Sequence, residues 1–338
     1  MKKILVAMSG GVDSTVVAYL LQQEGFHVEG VYMKLHDNPA YHAKNIANVE
    51  KVAAFLGIKH HILDLGKRFN EAVFMPFVET YKEGLTPNPC VLCNRNIKLG
   101  ALLDFTEAKG FDYLATGHYA QIENGFIHEA VDQSKDQSYF LSNVKKEALY
   151  KVLFPLGGRF KSDVKKIAAE IPVLKSIAEQ KESSEICFVE ESYLDILKEH
   201  TDIDIPGDVV DTEGNIIGKH RGYMHYTIGQ RRGFTLKVAH EPHYVIDIDA
   251  AKNQIVVGLR EALDTETFEV KDLNMFIPDT VFEGYVKIRY RSPKTPCQVT
   301  IKEGKAKVEL LQKVQGLAPG QAAVFYDDEK VLGSGWII

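Results

Sequence analysis

The feature that most narrows the fold is an alternation of short apolar runs with helix-length amphipathic segments, running from the N-terminus to Thr116. Lys3–Met8 (KILVAM) is a continuous apolar run of strand length. Ser14–Gln23 places apolar residues at helical spacing. Val28–Met33 reads as a second strand. Ala43–Leu56 sets Ile46, Val49, Val52, Ala53 and Leu56 on one helical face, with Gly57 as its stop. His61–Leu65 is a third strand, Asn94–Ala108 a further helix, and Tyr113–Thr116 another buried strand. Strand–helix alternation of this kind predicts βαβ units around a parallel, Rossmann-like sheet. Such a sheet binds its ligands at the carboxyl ends of the strands.

The pattern then changes. Lys161–Ala178 is expected to be helical with Pro172 as a break, and Ser192–Lys198 forms one more helix. Beyond Pro206 the chain is strand-like with frequent turns, and alternation dominates from Phe268 to Ile338, as in Tyr285–Tyr290 and Val299–Val308. The expected organisation is an α/β domain over residues 1–198, a small, mostly β central domain over 199–263 and a C-terminal β-barrel over 264–338.

Composition excludes whole classes. The 338 residues carry 45% hydrophobic and 25% charged side chains, so a disordered chain is excluded. Four cysteines are too few for a disulfide scaffold. No run approaches the roughly 18 apolar residues of a membrane span, so no membrane partner is expected. The opening MKKILVAMSGG enters a strand at once, without the longer apolar segment of a signal peptide. The expected compartment is the cytoplasm, where thiols stay reduced.

Between the first strand and first helix lies Ser9-Gly10-Gly11-Val12-Asp13-Ser14. Two glycines let the backbone curl its N–H groups inward, and the helix start adds a positive dipole end, which together form an anion cradle suited to phosphate. Ser9 and Ser14 can donate to phosphate oxygens, and Asp13 can help hold Mg2+. There is no Gly-Lys-Ser/Thr of a Walker loop and no third spaced glycine of a dinucleotide fingerprint.

Of the four cysteines, Cys90 and Cys93 sit in Thr86-Pro-Asn-Pro-Cys-Val-Leu-Cys-Asn94, a loop stiffened by two prolines just before a helix. A helix N-terminus favours the thiolate. Cys187 follows a polar stretch, and Cys297 lies in a β segment as a bystander. From the residues alone, four readings stay open: inert thiols, a structural zinc site (which lacks a tightly spaced His), a redox dithiol, and an iron–sulfur cluster held by three thiolates.

The Ser9–Ser14 string resembles the PP-loop of ATP pyrophosphatases, similar in fold to the Rossmann-like adenine nucleotide hydrolases. Together with TPNPCVLCN, Thr116-Gly-His-Tyr-Ala120, Lys135-Asp-Gln-Ser-Tyr-Phe-Leu141, Glu185-Ile-Cys-Phe188, Tyr226-Thr-Ile-Gly-Gln-Arg231 and Pro319-Gly-Gln321, it appears in the order seen in tRNA-specific 2-thiouridylases. The resemblance covers essentially the whole chain. It implies that Ala7, Met8, Ser9, Gly10, Gly11, Val12, Asp13 and Ser14 contact ATP, with Met33 and Gly117 bordering adenine and ribose. It further implies adenylation of the C2 oxygen of a wobble uridine, then sulfur transfer from a persulfide on Cys187, with Cys93 as partner thiol and AMP leaving. Asn88, Pro89, Cys90 and Val91 would lie against the target base. His118, Lys135, Asp136, Gln137, Arg289, Tyr290 and Gln321 would touch tRNA. A cysteine desulfurase or sulfur carrier would supply sulfur, and the acceptors would be the tRNAs for Glu, Gln and Lys.

Two departures stand out. Relatives commonly carry Asp where this chain has Cys90, and that Asp is taken as a general acid/base. The third cysteine also suits a competing scheme, in which Cys90, Cys93 and Cys187 hold a [4Fe–4S] cluster whose open iron binds hydrosulfide. The stretch His36–His42 is also shorter than the acidic loop common at that place. Outside the resemblance, the same loop fits an ATP-dependent amide ligase, which needs no cysteine, or a non-catalytic RNA-binding or redox-sensing protein that holds nucleotide.

A net charge of −6 is unexpected for an RNA enzyme. Local charge differs. Lys219, Arg221, Arg231, Arg232 and Lys237 face no acid within Lys219–Lys237, a local +5. Val286–Lys305 carries six basic residues against Glu303, again +5. Phosphate contacts need clustered positive charge rather than a basic total. Tyr223, Tyr226 and Tyr290 are interleaved with these residues, as base stacking would require, although tyrosine is also an ordinary strand residue.

Overall fold

The computed structural model describes residues 1–174, 186–189, 192–237 and 241–338. The chain forms two compact units. The first comprises Met1–Val73, Cys90–Ser184 and Glu329–Leu332; the second comprises Phe74–Pro89, Glu185–Asp328 and Gly333–Ile338.

The first unit is built on a five-stranded sheet. Its strands are β1 (Lys3–Ala7), β2 (His27–Lys34), β3 (His60–Asp64), β4 (Tyr113–Ala115) and Val152–Leu153. The order is β3-β2-β1-β4 and then Val152–Leu153, with every pairing parallel. Ile4, Leu5 and Val6 of β1 are fully buried, because helices cover both faces of a parallel sheet. Each such side chain contributes about 2 kcal/mol through its removal from water. β1 is central, and the chain leaves it towards β2 on one side while β4 lies on the other. The loop at its carboxyl end therefore occupies a switch point of the topology.

Helix α1 (Val12–Gln23) follows that loop, and α2 (Pro39–Leu56) follows β2. Asn38 caps α2 by accepting from the Tyr41 N–H at 2.9 Å, with Pro39 in the first turn. Gly57 ends it in the left-handed conformation, at φ 66°.

Two expectations shift. The helix expected to open at Asn94 begins at Pro89. A proline is pre-organised for a first helical position, so Pro89 starts the helix where the sequence reading placed a loop. The chain then winds as a π-helix over Asn94–Ala101 before returning to α-helix over Leu102–Ala108. The helix expected over Lys161–Ala178 ends at Glu170, followed by a 3-10 turn at Pro172–Leu174, because Pro172 cannot continue the hydrogen-bond ladder. Residues 175–178 lie outside the described residues.

The second unit holds the two β domains. The central sheet has five strands, Gly207–Val210, Ile216–His220, Thr235–Leu236, Tyr244–Asp249 and Gln254–Gly258. Its core gathers Val209, Tyr226, Ile228, Val245, Ile255 and Val257. The C-terminal strands run from Asp264–Met275 to Lys330–Ile337 and close on themselves through pairs such as Val270 with Ile337 and Met275 with Gly333. This closure makes the expected β-barrel and leaves neither of these two strands as an open edge. Among the described residues no helix is long and apolar enough to cross a membrane.

Candidate active site

The loop after β1 is shaped by its glycines. Gly10 has φ +79°, and a Cβ there would lie 2.9 Å from the Asn45 carbonyl oxygen of α2. Only glycine meets both conditions. Asn48 Nδ2 donates to the Gly10 carbonyl at 3.4 Å, so α2 buttresses the loop. Helix α1 begins at Val12, two residues earlier than its hydrophobic spacing indicated, with Gly11 as an N-cap that makes no side-chain capping bond. The first N–H groups of α1 thus receive nothing from the cap side chain, as an anion site at a helix start requires. Ser9 and Ser14 hydroxyls face each other at 3.3 Å, and Ser14 Oγ donates to the Gly11 carbonyl at 3.2 Å.

Asp13 is the carboxylate of this loop, and it is engaged. Lys161 Nζ donates to its two oxygens at 2.6 and 2.7 Å, and the Tyr119 hydroxyl donates to Oδ1 at 3.1 Å. Lys161 is buried at the start of the helix Lys161–Glu170, where its backbone N–H donates to Asp132 Oδ2 at 2.9 Å. Gly117 packs on the same loop: a Cβ there would sit 3.4 Å from Asp13 Cβ and from the Ser14 nitrogen. Met33 lies half-buried near the end of β2.

The Thr116–Ala120 and Lys135–Leu141 motifs meet. Gln137 Oε1 accepts from the Tyr119 N–H at 3.0 Å. Asp136 is buried, and its carboxylate accepts from the N–H of Ala130 at 3.0 Å and from the N–H and hydroxyl of Ser138 at 3.1 and 2.8 Å. A buried carboxylate needs such partners. It organises the turn that carries half-buried Lys135 and Gln137. His118 is likewise buried, with Nδ1 2.7 Å from the Thr116 hydroxyl and its ring edge-on to Phe154. Burial, and the nearby Lys98 charge, hold its pKa well below the ordinary imidazole range.

Cys90 and Cys93 stand three residues apart on the helical turn Pro89–Cys93, Cys90 half-buried and Cys93 buried. Val91 between them is buried. The following turn is tied to the Lys135–Leu141 motif, with Asn94 Nδ2 donating to the Phe140 carbonyl at 3.0 Å. Arg95 is bound likewise to the Asn143 carbonyl and, at 2.7 Å, to Asn143 Oδ1.

In the second unit Cys187 is exposed on a short turn closed by the Val189 N–H to the Ile186 carbonyl at 2.9 Å. Its neighbour Phe188 anchors that turn, edge-on to Phe74 and Phe77 at ring separations of 5.6 and 5.3 Å. Asn88 and Pro89 are buried beside Gln321, whose amide bonds to Thr86, Pro87 and Asn88. Arg289 Nη2 donates to the carbonyls of Ile228 and Gly316 at 3.1 and 2.6 Å, lining a cavity of about 620 Å3 with Gln230, Arg260 and Gln315. Tyr290 is half-buried.

Of the tyrosines expected among the basic residues, Tyr226 is buried with its hydroxyl on the Gly233 carbonyl, and the Tyr223 hydroxyl donates to the Lys82 carbonyl at 2.6 Å. Tyr226 is therefore closed to base stacking. Arg221, Arg231, Arg232 and Lys237 are exposed.

Three family models match the chain in succession. They are a tRNA methyl transferase HUP domain over residues 2–191, a tRNA methyl transferase PRC-barrel domain over 194–259 and an aminomethyltransferase beta-barrel domain over 265–337. A tRNA-specific 2-thiouridylase MnmA from a Nitratiruptor species is 58% identical over 337 residues, covering 100% of this chain and 99% of that protein. The protein of the same name from Campylobacter jejuni subsp. jejuni serotype O:6 is 60% identical over 336 residues, covering 99% of each. The chain belongs to the tRNA-specific 2-thiouridylase family.

Within this family member, the sequence reading missed Lys161 and the Tyr119 hydroxyl as neighbours of the loop carboxylate. Tyr119 lay inside a motif already singled out. Lys161 carried no local signal beyond a helix start 148 residues from Asp13. Among the described residues no group of three or more His, Cys, Asp or Glu side chains is gathered to hold a metal ion.

Proposed function

We propose that this protein replaces the C2 oxygen of the wobble uridine of tRNA by sulfur, using ATP, in the cytoplasm. The observation that supports this reading is the glycine loop Ser9–Ser14 at the start of α1, with no side-chain cap on that helix, in a chain that also bears a helix-borne Cys93 and an exposed Cys187.

Ala7–Ser14 take the ATP phosphates, while Met33 and Gly117 border adenine and ribose. Mg2+ enters with ATP, and Asp13 is the cradle carboxylate that would hold it. Lys161 supplies a positive charge that the loop itself lacks. The uracil O2 attacks the α-phosphorus, an O–P bond forms, and the bond to pyrophosphate breaks. This converts an inert amide-like oxygen into a leaving group. Cys187, exposed, accepts sulfur from a cysteine desulfurase or sulfur carrier as a persulfide. The Cys93 thiolate attacks the inner sulfur, the Cys93–Cys187 disulfide forms, and hydrosulfide departs. Hydrosulfide adds at C2 and AMP leaves. A thiol reductant then returns the disulfide to two thiols.

Asn88, Pro89, Cys90 and Val91 meet the target base. Residues 199–263 and the basic residues of the barrel take the tRNA, with Lys135, Gln137, Arg289 and Tyr290 among the contacts. Asp136 and His118 belong to the same tRNA-facing set, and each also holds its neighbours through hydrogen bonds. The acceptors are the tRNAs for Glu, Gln and Lys.

The test incubates the full chain with ATP, a desulfurase and unmodified tRNA, and follows AMP, pyrophosphate and 2-thiouridine. Formation of all three, each dependent on tRNA, is expected. Pyrophosphate release without tRNA, or no thiolated nucleoside, overturns the reading.

A further inference from the structure

The segment Thr86-Pro-Asn-Pro89 has a hydrogen-bonding problem written into its sequence. Pro87 and Pro89 have no N–H, so the segment has few donors of its own and belongs to no sheet. Its carbonyls must find donors elsewhere. They find them 235 and 234 residues away: Gln321 Nε2 donates to the Thr86 carbonyl at 3.1 Å and to the Pro87 carbonyl at 3.0 Å. On its other side, Gln321 Oε1 accepts from Asn88 Nδ2 at 3.3 Å. The amide orientation follows from these partners, since a flipped amide would set its oxygen against two carbonyl oxygens.

The backbone around Gln321 completes the grip. The Thr86 N–H donates to the Pro319 carbonyl at 2.8 Å. Gly320 has φ +89°, and a Cβ there would lie 2.9 Å from the Thr86 oxygen and 3.0 Å from its nitrogen. Gln321 itself is fixed to the barrel: its N–H donates to Ala318, and its carbonyl accepts from Ile337 at 2.9 Å. The Pro319-Gly-Gln321 turn thus holds three consecutive residues of the proline segment by four hydrogen bonds.

We propose that Gln321 is a positioning residue, which locks the Thr86–Asn88 segment, and with it the helix start at Pro89, in the shape that receives the target base. This rests on the reading of Asn88–Val91 as the base-facing segment. Gln321 Nε2 has two carbonyl acceptors within this segment, so the role assigned to it here is to hold that segment. Gly320 belongs to the same device, because any side chain would push Thr86 away.

The test uses the full chain and two variants, Gln321→Glu and Gly320→Ala. Glu is nearly isosteric but donates nothing to the Thr86 and Pro87 carbonyls. Both variants are expected to keep tRNA affinity within about twofold and ATP affinity unchanged. They should lose tenfold or more in single-turnover thiolation at saturating tRNA. Amide exchange of Thr86 and its neighbours in the free protein should rise at least tenfold, a readout that needs no RNA.

Loss of tRNA affinity with unaltered exchange would make Gln321 an RNA contact and overturn the proposal. So would full thiolation by Gln321→Glu. If either variant fails to fold, exchange in the unaltered chain still decides: rapid exchange of the Thr86 amide would mean that no clamp exists. A wild-type chain that shows the protection but makes no 2-thiouridine would overturn the assigned reaction and leave the clamp standing.

Discussion

Lys161 and Asp13 meet at 2.6 Å although 148 residues separate them. The pair joins the start of one helix to the first turn of α1 and is partly screened from solvent by burial of the lysine. A charge-assisted hydrogen bond of this kind is worth roughly 1.5–3 kcal/mol. The same ammonium sets a positive charge beside the loop proposed to take the phosphates, so a bound nucleotide would compete with Asp13 for it.

Lys161→Ala should therefore weaken ATP binding by about tenfold or more, since one charge-assisted contact corresponds to one or two powers of ten in affinity. AMP binding should change by no more than about twofold, because AMP brings no β- or γ-phosphate. Isothermal titration with each nucleotide checks this, and equal losses for both would show that Lys161 only holds the loop in shape.

Cys187→Ser should reduce 2-thiouridine formation to background while leaving ATP affinity intact. The residue is exposed on its own short turn, and Phe188 rather than Cys187 anchors that turn. Mass spectrometry of digested tRNA, beside nucleotide titration, separates the two effects. Thiolation retained in this variant would contradict sulfur delivery through Cys187.

Position 90 tells the persulfide route from a cluster route. Cys90 lies in the first turn of the helix that begins at Pro89, where a negative side chain is favourable. Cys90→Asp is expected to fold with an unchanged Tm and to keep thiolation within about threefold. Anaerobic reconstitution with iron and sulfide, followed by visible absorption, supplies the control. Thiolate–iron bands that accompany activity in the parent and vanish with it in the variant would favour the cluster.

The pH dependence of stability should carry the mark of His118. Its pKa is depressed in the folded protein, chiefly by burial and secondarily by Lys98, whereas the unfolded chain titrates near 6.5. As pH falls below 6.5, the unfolded state binds the proton and the folded state does not, so stability drops on acidification. His118→Gln should flatten that decline, measured as Tm against pH between about 7 and 5. His220 and His225 are shifted in the same direction by burial, so part of the slope remains. An unchanged slope would remove His118 from the account.

The alternating apolar runs made the parallel sheet legible, because strand and helix periods are local properties of a few consecutive residues. The glycine loop after β1 was legible for the same reason: glycines, serines and the flanking strand lie within one short string. What stayed hidden is non-local. Nothing near Lys161 announces Asp13, and nothing near Gln321 announces Thr86, since these pairs exist only once the chain has closed. The helix start was misplaced for a different reason. Two prolines flanking an Asn read as a rigid loop, yet the second of them opens a helix at Pro89. Asp136 and His118 show a third limit: burial is set by the closed fold, and nothing within their motifs announces that both side chains are buried.

The barrel cysteine offers a gauge of another kind. Cys297 is 1% exposed in the strand Thr295–Lys302, and burial pushes its thiol up to about 12. A thiol so placed stays silent towards alkylating reagents while the barrel is closed, because only the thiolate reacts. Its slow modification in the native protein therefore clocks the opening of the C-terminal domain, and any labelling study of sulfur traffic at the other cysteines carries its own internal measure of how intact the molecule was.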